Sequence, residues 1–237
     1  FIVVHSSGSS GKVGIFVYDR TAWQVASATM AGFLPPLETD PSHKTRLAFY
    51  LASHGHFAGV STAVRMPAGL YDPLIISVLD PQEDVLRRLN AFQPFQIGGY
   101  ASSVSMLAQQ KLEGRLRIHP KRVFVSGDRL TASMEQTIRA AWKAPLYVLY
   151  GGSESIYIAV KHSGQEDMVA IEDLNIVEVL NGDDQPVLPG AEGRVVVTNL
   201  YNYTLPILRY ELGDSVVLGN RPSDSPVTTI RDIKDRA

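Results

Sequence analysis

Residues 121–155 restrict the fold more than any other stretch of the chain. They read KRVFVSG, DRLTASMEQTIRAAW and, two residues later, PLYVLYGGSES, which is the pattern of an apolar strand, a helix and a second apolar strand. Thr131 is suited to cap the helix, and Glu135 follows close behind it. A strand, a helix and a strand at this spacing form a βαβ unit, in which the strands are parallel and the crossover is right-handed. The chain is therefore expected to contain a parallel sheet.

The pattern changes near residue 155. Before it, strands are predicted at 1–4, 15–18, 46–51 and 74–79, and helices at 21–34, 82–91 and 102–113, with Asp19 or Thr21 and Pro81 suited to begin two of the helices. HGHFAGV at 54–60 is predicted to be a glycine-broken loop. After it, short strands follow at 156–160, 168–172, 175–180 and 193–198, without a helical period. We predict an α/β fold, with a mostly parallel sheet flanked by helices over residues 1–155 and a smaller β-rich subdomain over residues 156–237.

Composition excludes several classes of protein. A net charge of -2 and a pI near 6.3 give no basic footprint for nucleic acid. No run of about 18 apolar residues is present, so no membrane span is expected. The chain has no cysteine, which excludes disulfides and thiolate catalysis and fits a reducing compartment. We expect a cytoplasmic protein with no nucleic-acid or membrane partner. Because the chain begins with Phe1 in what reads as mid-strand, we expect a piece of a longer protein.

The opening FIVVHSSGSSGKVG places serines, glycines and one lysine directly after a strand. Glycines let backbone N–H groups converge on an anion, serine hydroxyls add donors, and Lys12 adds a positive charge. The pattern favours a polyphosphate cradle, and the alternatives are a flexible turn or a cloning linker. A Walker P-loop requires Ser or Thr after the lysine and then a helix, whereas Val13 and a predicted strand follow Lys12. An unrelated P-loop phosphotransferase would instead have a helix at residues 13–18.

Two later loops have the chemistry of a nucleotide site. YGGSES at 150–155 lies at the carboxyl end of a predicted strand, where ligands bind in α/β sheets. Tyr150 offers a flat face for a base and Glu154 an oxygen ligand for a hard cation, although a turn with a solvated glutamate explains the same letters. YTLPILRYELGD ends in Asp214, which follows a glycine turn and can accept hydrogen bonds from a diol such as ribose. The alternative there is an ordinary Gly-Asp turn that closes a strand.

Taken together and in this order, the motifs resemble the adenylate-forming superfamily of acyl-CoA synthetases, nonribosomal-peptide adenylation domains and luciferases. That family has a Ser/Thr-Gly-rich loop ending in Gly-Lys-Pro, then Tyr-Gly-x-Thr-Glu, then Tyr-Arg-Thr-Gly-Asp. Here the corresponding stretches are SSGSSGK at 6–12, YGGSE at 150–154 and RYELGD at 209–214, and VSGDRLT at 125–131 is similar to a fourth family segment. LPILRYELGD looks most like the branch of phenylacetate–CoA ligases and their capsule-biosynthesis relatives. The chain departs from the pattern at Val13, Ser153, Glu211 and Leu212.

The resemblance implies that a carboxylate attacks ATP to give acyl-AMP and pyrophosphate, and that a thiol such as CoA then takes the acyl group. Glu154 would hold Mg²⁺, and Ser153 would touch the α-phosphate or the carboxylate; with Lys12 these are the implied catalytic residues. Tyr150 would stack on adenine, Gly127 and Asp128 would form another wall of the adenine pocket, and Asp214 would bind the ribose. The other implied nucleotide-binding residues lie in the same loops or near the chain end: Ser6, Ser7, Gly8, Ser9, Ser10, Gly11, Gly151, Gly152 and Arg236.

The resemblance also bears on the small domain and on the pocket for the carboxylic acid. The end of the chain resembles the segment before the family's interdomain hinge, so we expect the small domain with the catalytic lysine to follow as a partner of this one. IGGYASSVSML at 97–107 falls where family members shape the pocket for the carboxylic acid, and Tyr100 either contacts an aryl or alkyl group there or packs beside a helix. His54 and His56 are too few for a metal site and are taken as loop residues. The alternative to an enzyme is a nucleotide-binding module without catalysis.

Overall fold

The computed structural model of the protein describes residues 1–8, 12–34, 42–220 and 227–236. The chain divides into two compact units: unit 1 consists of Phe1–Pro35 and Leu149–Ala237, and unit 2 consists of Pro36–Val148. The first residues belong to unit 1 because they bond to residues far along the chain, as where Asn202 Nδ2 donates to the Val17 carbonyl oxygen at 2.9 Å. These units differ from the predicted division at residue 155, which stays a prediction about domains.

The predicted helices and strands occur in the predicted order, and the structure adds a helix at Ala58–Ala63 and strands at Gln96–Gly99, Tyr210–Leu218 and Thr229–Arg236 that were not predicted. Unit 1 begins with β1 (Ile2–His5), β2 (Ile15–Tyr18) and α1 (Arg20–Phe33). Unit 2 contains β3 (Thr45–Leu51), α2 (Ala58–Ala63), β4 (Tyr71–Ser77), α3 (Gln82–Phe92), β5 (Gln96–Gly99), α4 (Ala101–Leu112), β6 (Arg122–Ser126) and α5 (Ala132–Trp142). Strand β7 (Leu146–Tyr150) crosses from unit 2 into unit 1, which continues with β8 (Ala159–Lys161), β9 (Met168–Ala170), β10 (Asn175–Leu180), β11 (Glu192–Asn199), β12 (Tyr210–Leu218) and β13 (Thr229–Arg236).

Unit 2 is built on the predicted parallel sheet. Strand β3 pairs with β4 on one side and β5 on the other, and β5 pairs with β6, all in parallel. Its core is a single apolar cluster that includes Leu89, Ile97, Leu107, Val123 and Ile138. Strands of a parallel sheet with helices on its faces are buried on both sides, which is why they read as continuous apolar runs. The carboxyl ends of β5 and β6 in this parallel sheet position the loops that follow these strands.

Helix starts agree with the capping residues in the sequence. Asp19 Oδ1 accepts the Ala22 N–H at 2.7 Å, Thr131 Oγ1 accepts the Met134 N–H at 3.3 Å, and Pro81 directly precedes α3. The predicted loop at 54–60 is confirmed for residues 54–57 and is wrong beyond them, because α2 begins at Ala58. A helix of six residues is too short to show an apolar period. No helix in the described part of the chain is long and apolar enough to cross a membrane.

Unit 1 is mainly antiparallel. Strands β1 and β2 form a hairpin, and the remaining strands lie in the order β10-β11-β12-β13-β9-β8, with every one of these neighbours antiparallel. The predicted strand at 156–160 is wrong in its bounds, since β8 begins at Ala159, and β12 and β13 were not predicted. After residue 155 the described residues contain no helix, and the predicted fold class is confirmed.

Candidate functional site

The opening loop connects the two strands of a hairpin. His5 pairs with Ile15 in the antiparallel register, and the Ser6 N–H donates to the Gly14 carbonyl oxygen at 2.9 Å. The Gly14 N–H donates in return to Ser6 Oγ at 2.8 Å. Gly8 has φ +70°, in the left-handed region that favours glycine. The loop therefore closes on itself at Ser6 and Gly14, where it leaves the strands.

The element that follows Lys12, a strand or a helix, distinguishes two kinds of phosphate-binding loop. Lys12 is exposed, and strand β2 follows it at Ile15–Tyr18 rather than a helix. This arrangement overturns the expectation for an unrelated P-loop phosphotransferase, whose lysine opens a helix. Ser9, Ser10 and Gly11 lie outside the described residues. The hairpin remains compatible with a cradle that offers backbone N–H groups and a lysine to phosphates.

The loop at 150–155 follows β7 and carries a buried carboxylate. Glu154 is only 8% exposed, so the alternative of a solvated glutamate is wrong. A Cβ at position 152 would lie 2.6 Å from Glu154 Oε2, which shows that the carboxylate occupies the space beside Gly152. A Cβ at position 151 would lie 2.1 Å from the Ile156 carbonyl oxygen, so only glycine fits there. The two glycines thus allow a tight loop that holds Glu154 against its own backbone.

Hydrogen bonds from the hairpin hold this loop in place. The Tyr18 hydroxyl donates to the carbonyl oxygens of Ser153 at 2.7 Å and Glu154 at 2.9 Å. Ser153 Oγ donates to the carbonyl oxygen of His5 at 2.9 Å. Burial raises the pKa of the Tyr18 hydroxyl well above its ordinary value, and neighbouring Tyr201 adds to the shift, so the hydroxyl stays a neutral donor. The Ser153 hydroxyl therefore makes a contact within the chain that its predicted role does not include.

A buried polar network lies beneath the same loop. Ser155 Oγ donates to Asn175 Oδ1 at 2.6 Å, and Asn175 Nδ2 donates to the Tyr157 carbonyl oxygen at 2.7 Å. The Tyr201 hydroxyl accepts the Ile156 N–H at 3.3 Å. Ser155 is fully buried and Asn175 is 1% exposed. The sequence analysis missed these supports together with Tyr18, and the signal that could have found them is an asparagine at the start of the mostly apolar strand β10.

Asp214 meets Tyr150 at the end of β7. The Tyr150 hydroxyl donates to Asp214 Oδ2 at 2.8 Å, and Asp214 pairs with Arg236 in the register of β12 and β13. The alternative of a Gly-Asp turn that closes a strand is wrong, because Gly213 and Asp214 lie inside β12. Gly213 has φ +77°, and the register shifts between Asp214 and Val216, which marks a bulge. The structure thus brings together three of the predicted nucleotide residues, whose roles stay predictions.

Three further predicted residues meet within unit 2. The Tyr100 ring packs on Gly127, where a Cβ would lie 2.8 Å from the ring and φ is +81°. The Asp128 carboxylate accepts the backbone N–H groups of Ala101 and Ser102, so it caps α4. The Tyr100 hydroxyl accepts the Ala52 N–H at 3.3 Å. These contacts are structural, and the predicted acyl contact of Tyr100 and the adenine wall at 127–128 stay predictions.

The donor set fits a magnesium ion that arrives with a nucleotide rather than one held by the protein alone. Over residues 1–8, 12–34, 42–220 and 227–236, no group of three or more His, Asp and Glu side chains is placed to hold a metal ion. Mg²⁺ is commonly bound through one or two carboxylates together with substrate phosphates and waters. Glu154, whose carboxylate lies beside Gly152, would supply one such carboxylate.

Comparison with known proteins agrees with this architecture. No protein-family model matches the chain. A curated protein named CapK from Staphylococcus aureus is 27% identical over 138 residues, which cover 57% of this chain and 29% of CapK. The crystal structure of 2-hydroxyisobutyryl-CoA ligase in complex with 2-HIB-AMP and CoA superposes with a TM-score of 0.77 at 21% identity, over 100% of this chain and 57% of that one. The chain has the fold of this part of the ligase.

Two further solved structures share the fold. The N-terminal subdomain of NpsA from Klebsiella oxytoca, in complex with 3-hydroxyanthranilyl-AMSN, has a TM-score of 0.64 at 17% identity, over 98% of this chain and 60% of that one. The o-succinylbenzoate CoA synthetase MenE from Bacillus subtilis, bound to a product analogue, has a TM-score of 0.69 at 15% identity, over 99% of this chain and 49% of that one. The resemblance to adenylate-forming enzymes is thus confirmed for the fold, and this chain spans about half the length of the solved structures that it matches.

Proposed function

We propose that the protein uses ATP to activate a carboxylic acid as an acyl-adenylate and then transfers the acyl group to the thiol of CoA. The observation that carries the proposal is the buried Glu154, held on a loop that bonds directly to the Ser/Gly-rich hairpin. The likeness of the fold to ligases solved with an acyl-AMP and CoA supports the same chemistry. Because this chain spans about half of those structures, the activity is a property of the whole protein.

In the proposed reaction, a carboxylate oxygen of the acid attacks the α-phosphorus of ATP. The bond from the α-phosphorus to the bridging oxygen breaks, and pyrophosphate leaves with the electron pair. The CoA sulfur then attacks the acyl carbon, its proton passes to solvent, and the acyl–oxygen bond breaks to release AMP. Both steps depend on positioning and charge stabilisation and need no protein nucleophile.

The proposed roles are those that the resemblance implies for the residues of these loops. The N–H groups and hydroxyls of residues 6–11, together with exposed Lys12, bind the β- and γ-phosphates. Glu154 binds Mg²⁺, which neutralises charge on the phosphate oxygens when it is bound. Tyr150 packs on adenine, and its hydrogen bond to Asp214 keeps that carboxylate oriented toward the ribose hydroxyls. Arg236 contacts the ribose.

The finer assignments belong to the same proposal. The acid is aromatic, because LPILRYELGD resembles the corresponding segment of phenylacetate–CoA ligases. Tyr100 lies at the pocket that binds this acid. The small domain that carries the catalytic lysine follows this chain and completes the site. The enzyme works in the cytoplasm, where ATP and CoA are available.

Pyrophosphate exchange tests the proposal directly. The protein is incubated with ATP, Mg²⁺, labelled pyrophosphate and a panel of aromatic and aliphatic acids, and label entering ATP is counted. Exchange that depends on one class of acid, followed by thioester formation with CoA, is the expected result. A protein that binds MgATP but supports exchange with none of the acids would overturn the enzymatic proposal.

A nucleotide-binding module without catalysis is the second candidate. It is favoured by one observation, that the Ser153 hydroxyl donates to the His5 carbonyl oxygen inside the chain. If that bond persists with nucleotide bound, Ser153 does not donate to a phosphate or to an acid. This candidate predicts magnesium-dependent ATP binding by calorimetry together with an exchange rate that no acid increases.

A further inference from the structure

Two residues tie the Glu154 loop to the hairpin, and their hydrogen bonds run in opposite directions. From β2, the Tyr18 hydroxyl donates to the carbonyl oxygens of Ser153 and Glu154 at 2.7 and 2.9 Å. From the loop, Ser153 Oγ donates to the carbonyl oxygen of His5, the last residue of β1, at 2.9 Å. We call these three hydrogen bonds the double tether. All of its residues lie in unit 1.

The Tyr18 side of the double tether fixes the backbone around Glu154. The Ser153 carbonyl belongs to the peptide plane before the Glu154 Cα, and the Glu154 carbonyl belongs to the plane after it. Because each peptide unit is planar, holding both carbonyls near one hydroxyl restricts φ and ψ of Glu154 and therefore the direction of its Cα–Cβ bond. The Tyr18 hydroxyl thus restricts the direction in which the Glu154 side chain leaves the backbone.

The Ser153 side fixes the first peptide of the opening loop. The His5 carbonyl lies in the same peptide plane as the Ser6 N–H, which donates to the Gly14 carbonyl oxygen at 2.9 Å. Holding that plane sets the direction in which the loop leaves β1. The distance from the start of the loop to the Glu154 backbone is therefore determined by side-chain hydrogen bonds rather than by strand pairing.

The surroundings make the double tether hard to replace. Tyr18 is fully buried and Ser153 is 7% exposed, so water does not substitute readily for either hydroxyl. The Tyr18 ring packs edge-on against Trp23 at 5.7 Å and stacks with Tyr201 at 6.2 Å, which restricts the direction of its hydroxyl. Losing one hydroxyl would leave carbonyl groups without these donors, while the aromatic packing would remain.

We infer that Tyr18 and Ser153 are positioning residues that hold the Glu154 carboxylate and the start of the opening loop, at Ser6, at the separation that MgATP requires. The inference rests on the proposed function, since it assumes that phosphates bind the hairpin and Mg²⁺ binds Glu154. It assigns Ser153 a role through the His5 carbonyl rather than through contact with the reacting groups. It also assigns a role to Tyr18, which the motifs do not include.

Binding of two nucleotides tests the positioning role. Tyr18→Phe and Ser153→Ala each remove one hydroxyl, and Tyr50→Phe is the control, because Tyr50 is a buried tyrosine of unit 2. By calorimetry on the full protein, both variants should bind MgATP about tenfold more weakly than wild type, the scale of losing a group that orients a metal ligand. Their affinity for AMP, which lacks the β- and γ-phosphates, should be unchanged. Equal weakening for both nucleotides, or no weakening for either, would overturn the positioning role.

Amide hydrogen exchange without nucleotide tests the double tether independently of the proposed function. The Gly14 N–H donates to Ser6 Oγ, and the Gly152 N–H donates to the Ser155 carbonyl oxygen at 2.9 Å, so these amides report on the two loops. Both should exchange faster in Tyr18→Phe and Ser153→Ala than in wild type or Tyr50→Phe. Unchanged exchange in both variants would overturn the inference even if the protein proves to be a ligase. If wild type binds no MgATP, the proposed function and the nucleotide role fail together, while faster exchange would still establish the tether itself.

Discussion

The loop after β7 in unit 1 and the loop after β6 in unit 2 both carry an acidic residue that the resemblance assigns to nucleotide binding, yet they use it differently. In unit 2, the Asp128 carboxylate itself caps α4, because it accepts hydrogen bonds from the N–H groups at the start of that helix. In unit 1, the backbone carbonyls of Ser153 and Glu154 accept the bonds from Tyr18, and the Glu154 side chain is buried beside Gly152. Substitution should therefore reduce stability in unit 2 and activity in unit 1.

The largest expected effect is on catalysis at Glu154. Glu154→Gln keeps the size of the side chain but removes the charge that the proposal assigns to Mg²⁺. We expect the rate of acid-dependent pyrophosphate exchange to fall about 10³-fold, as when a main electrostatic contact to the reacting groups is lost. Glu166→Gln, at an exposed position of unit 1, is the matched control and should exchange normally.

The midpoint of urea denaturation of Glu154→Gln distinguishes a catalytic role of Glu154 from a structural one. A midpoint close to wild type with lost exchange would place Glu154 among the groups that act on substrate. A large fall in the midpoint with exchange retained in the folded fraction would show that Glu154 is structural, as Asp128 is. The contrast between the two loops would then be wrong.

Glycine substitutions compare the two loops through their backbones. Gly151→Ala would place a Cβ 2.1 Å from the Ile156 carbonyl oxygen, which is backbone and cannot swing away. We expect a loss of about 3 kcal/mol in the free energy of unfolding, at the upper end for overpacking. Gly127→Ala meets the Tyr100 side chain and a φ of +81°, so about 1–2 kcal/mol is expected.

Urea denaturation measures both glycine variants. Gly182→Ala is the control, because a Cβ there would meet nothing within 4 Å and its φ is not in the left-handed region. Equal losses for Gly151→Ala and Gly127→Ala would contradict the distinction between a backbone clash and a movable side chain.

A smaller effect is expected when the cap on α4 is removed. Asp128→Ala leaves the N–H groups of Ala101 and Ser102 without their carboxylate acceptor, which should cost about 1 kcal/mol of unfolding free energy. Asp128→Asn keeps one acceptor oxygen and should recover most of that loss. If calorimetry shows that Asp128→Ala binds ATP much more weakly at unchanged stability, the structural interpretation of this loop fails and the predicted adenine wall gains support.

The sequence predicted the parts of the fold that are governed by local pattern. Continuous apolar strands and capped helices indicated the parallel sheet of unit 2, and Asp19 and Thr131 cap the helices expected of them. Strand β12 was missed because YELGDSVVL mixes charged residues with a register shift against β11 between Glu211 and Ser215, so no alternation survives. The short α2 was missed for the same lack of a period.

The candidate site was predicted as a set of residues but not as an arrangement. Motif order indicated Tyr150, Glu154 and Asp214, because those residue types carry the chemistry. The Glu154 loop is held by the Tyr18 hydroxyl, which lies more than 130 residues away in the sequence. A sequence pattern does not reveal a contact between residues so far apart. A tyrosine in an apolar strand looks like core in any sequence, so only the folded chain shows what its hydroxyl bonds.

The smallest expected effect concerns acid stability at the start of α1, beside the hairpin. The Ala22 N–H donates to the Asp19 carboxylate, and the Thr204 hydroxyl adds a second bond, which together lower the pKa of Asp19 below its ordinary value of 3.8. A carboxyl with a lowered folded-state pKa adds stability above its unfolded pKa, and that contribution is lost as the pH falls through the folded value.

Asp19→Asn removes this titration but keeps an acceptor for the helix cap. Its free energy of unfolding should therefore fall less steeply than that of wild type as the pH drops from about 6 to about 3, in urea titrations at each pH. Asp183→Asn, at an exposed turn of unit 1, is the control and should follow the wild-type profile. Parallel profiles for wild type and Asp19→Asn would mean that the cap contributes equally in both charge states. Unit 1 would then hold its first helix, like its Glu154 loop, by hydrogen-bond geometry rather than by charge.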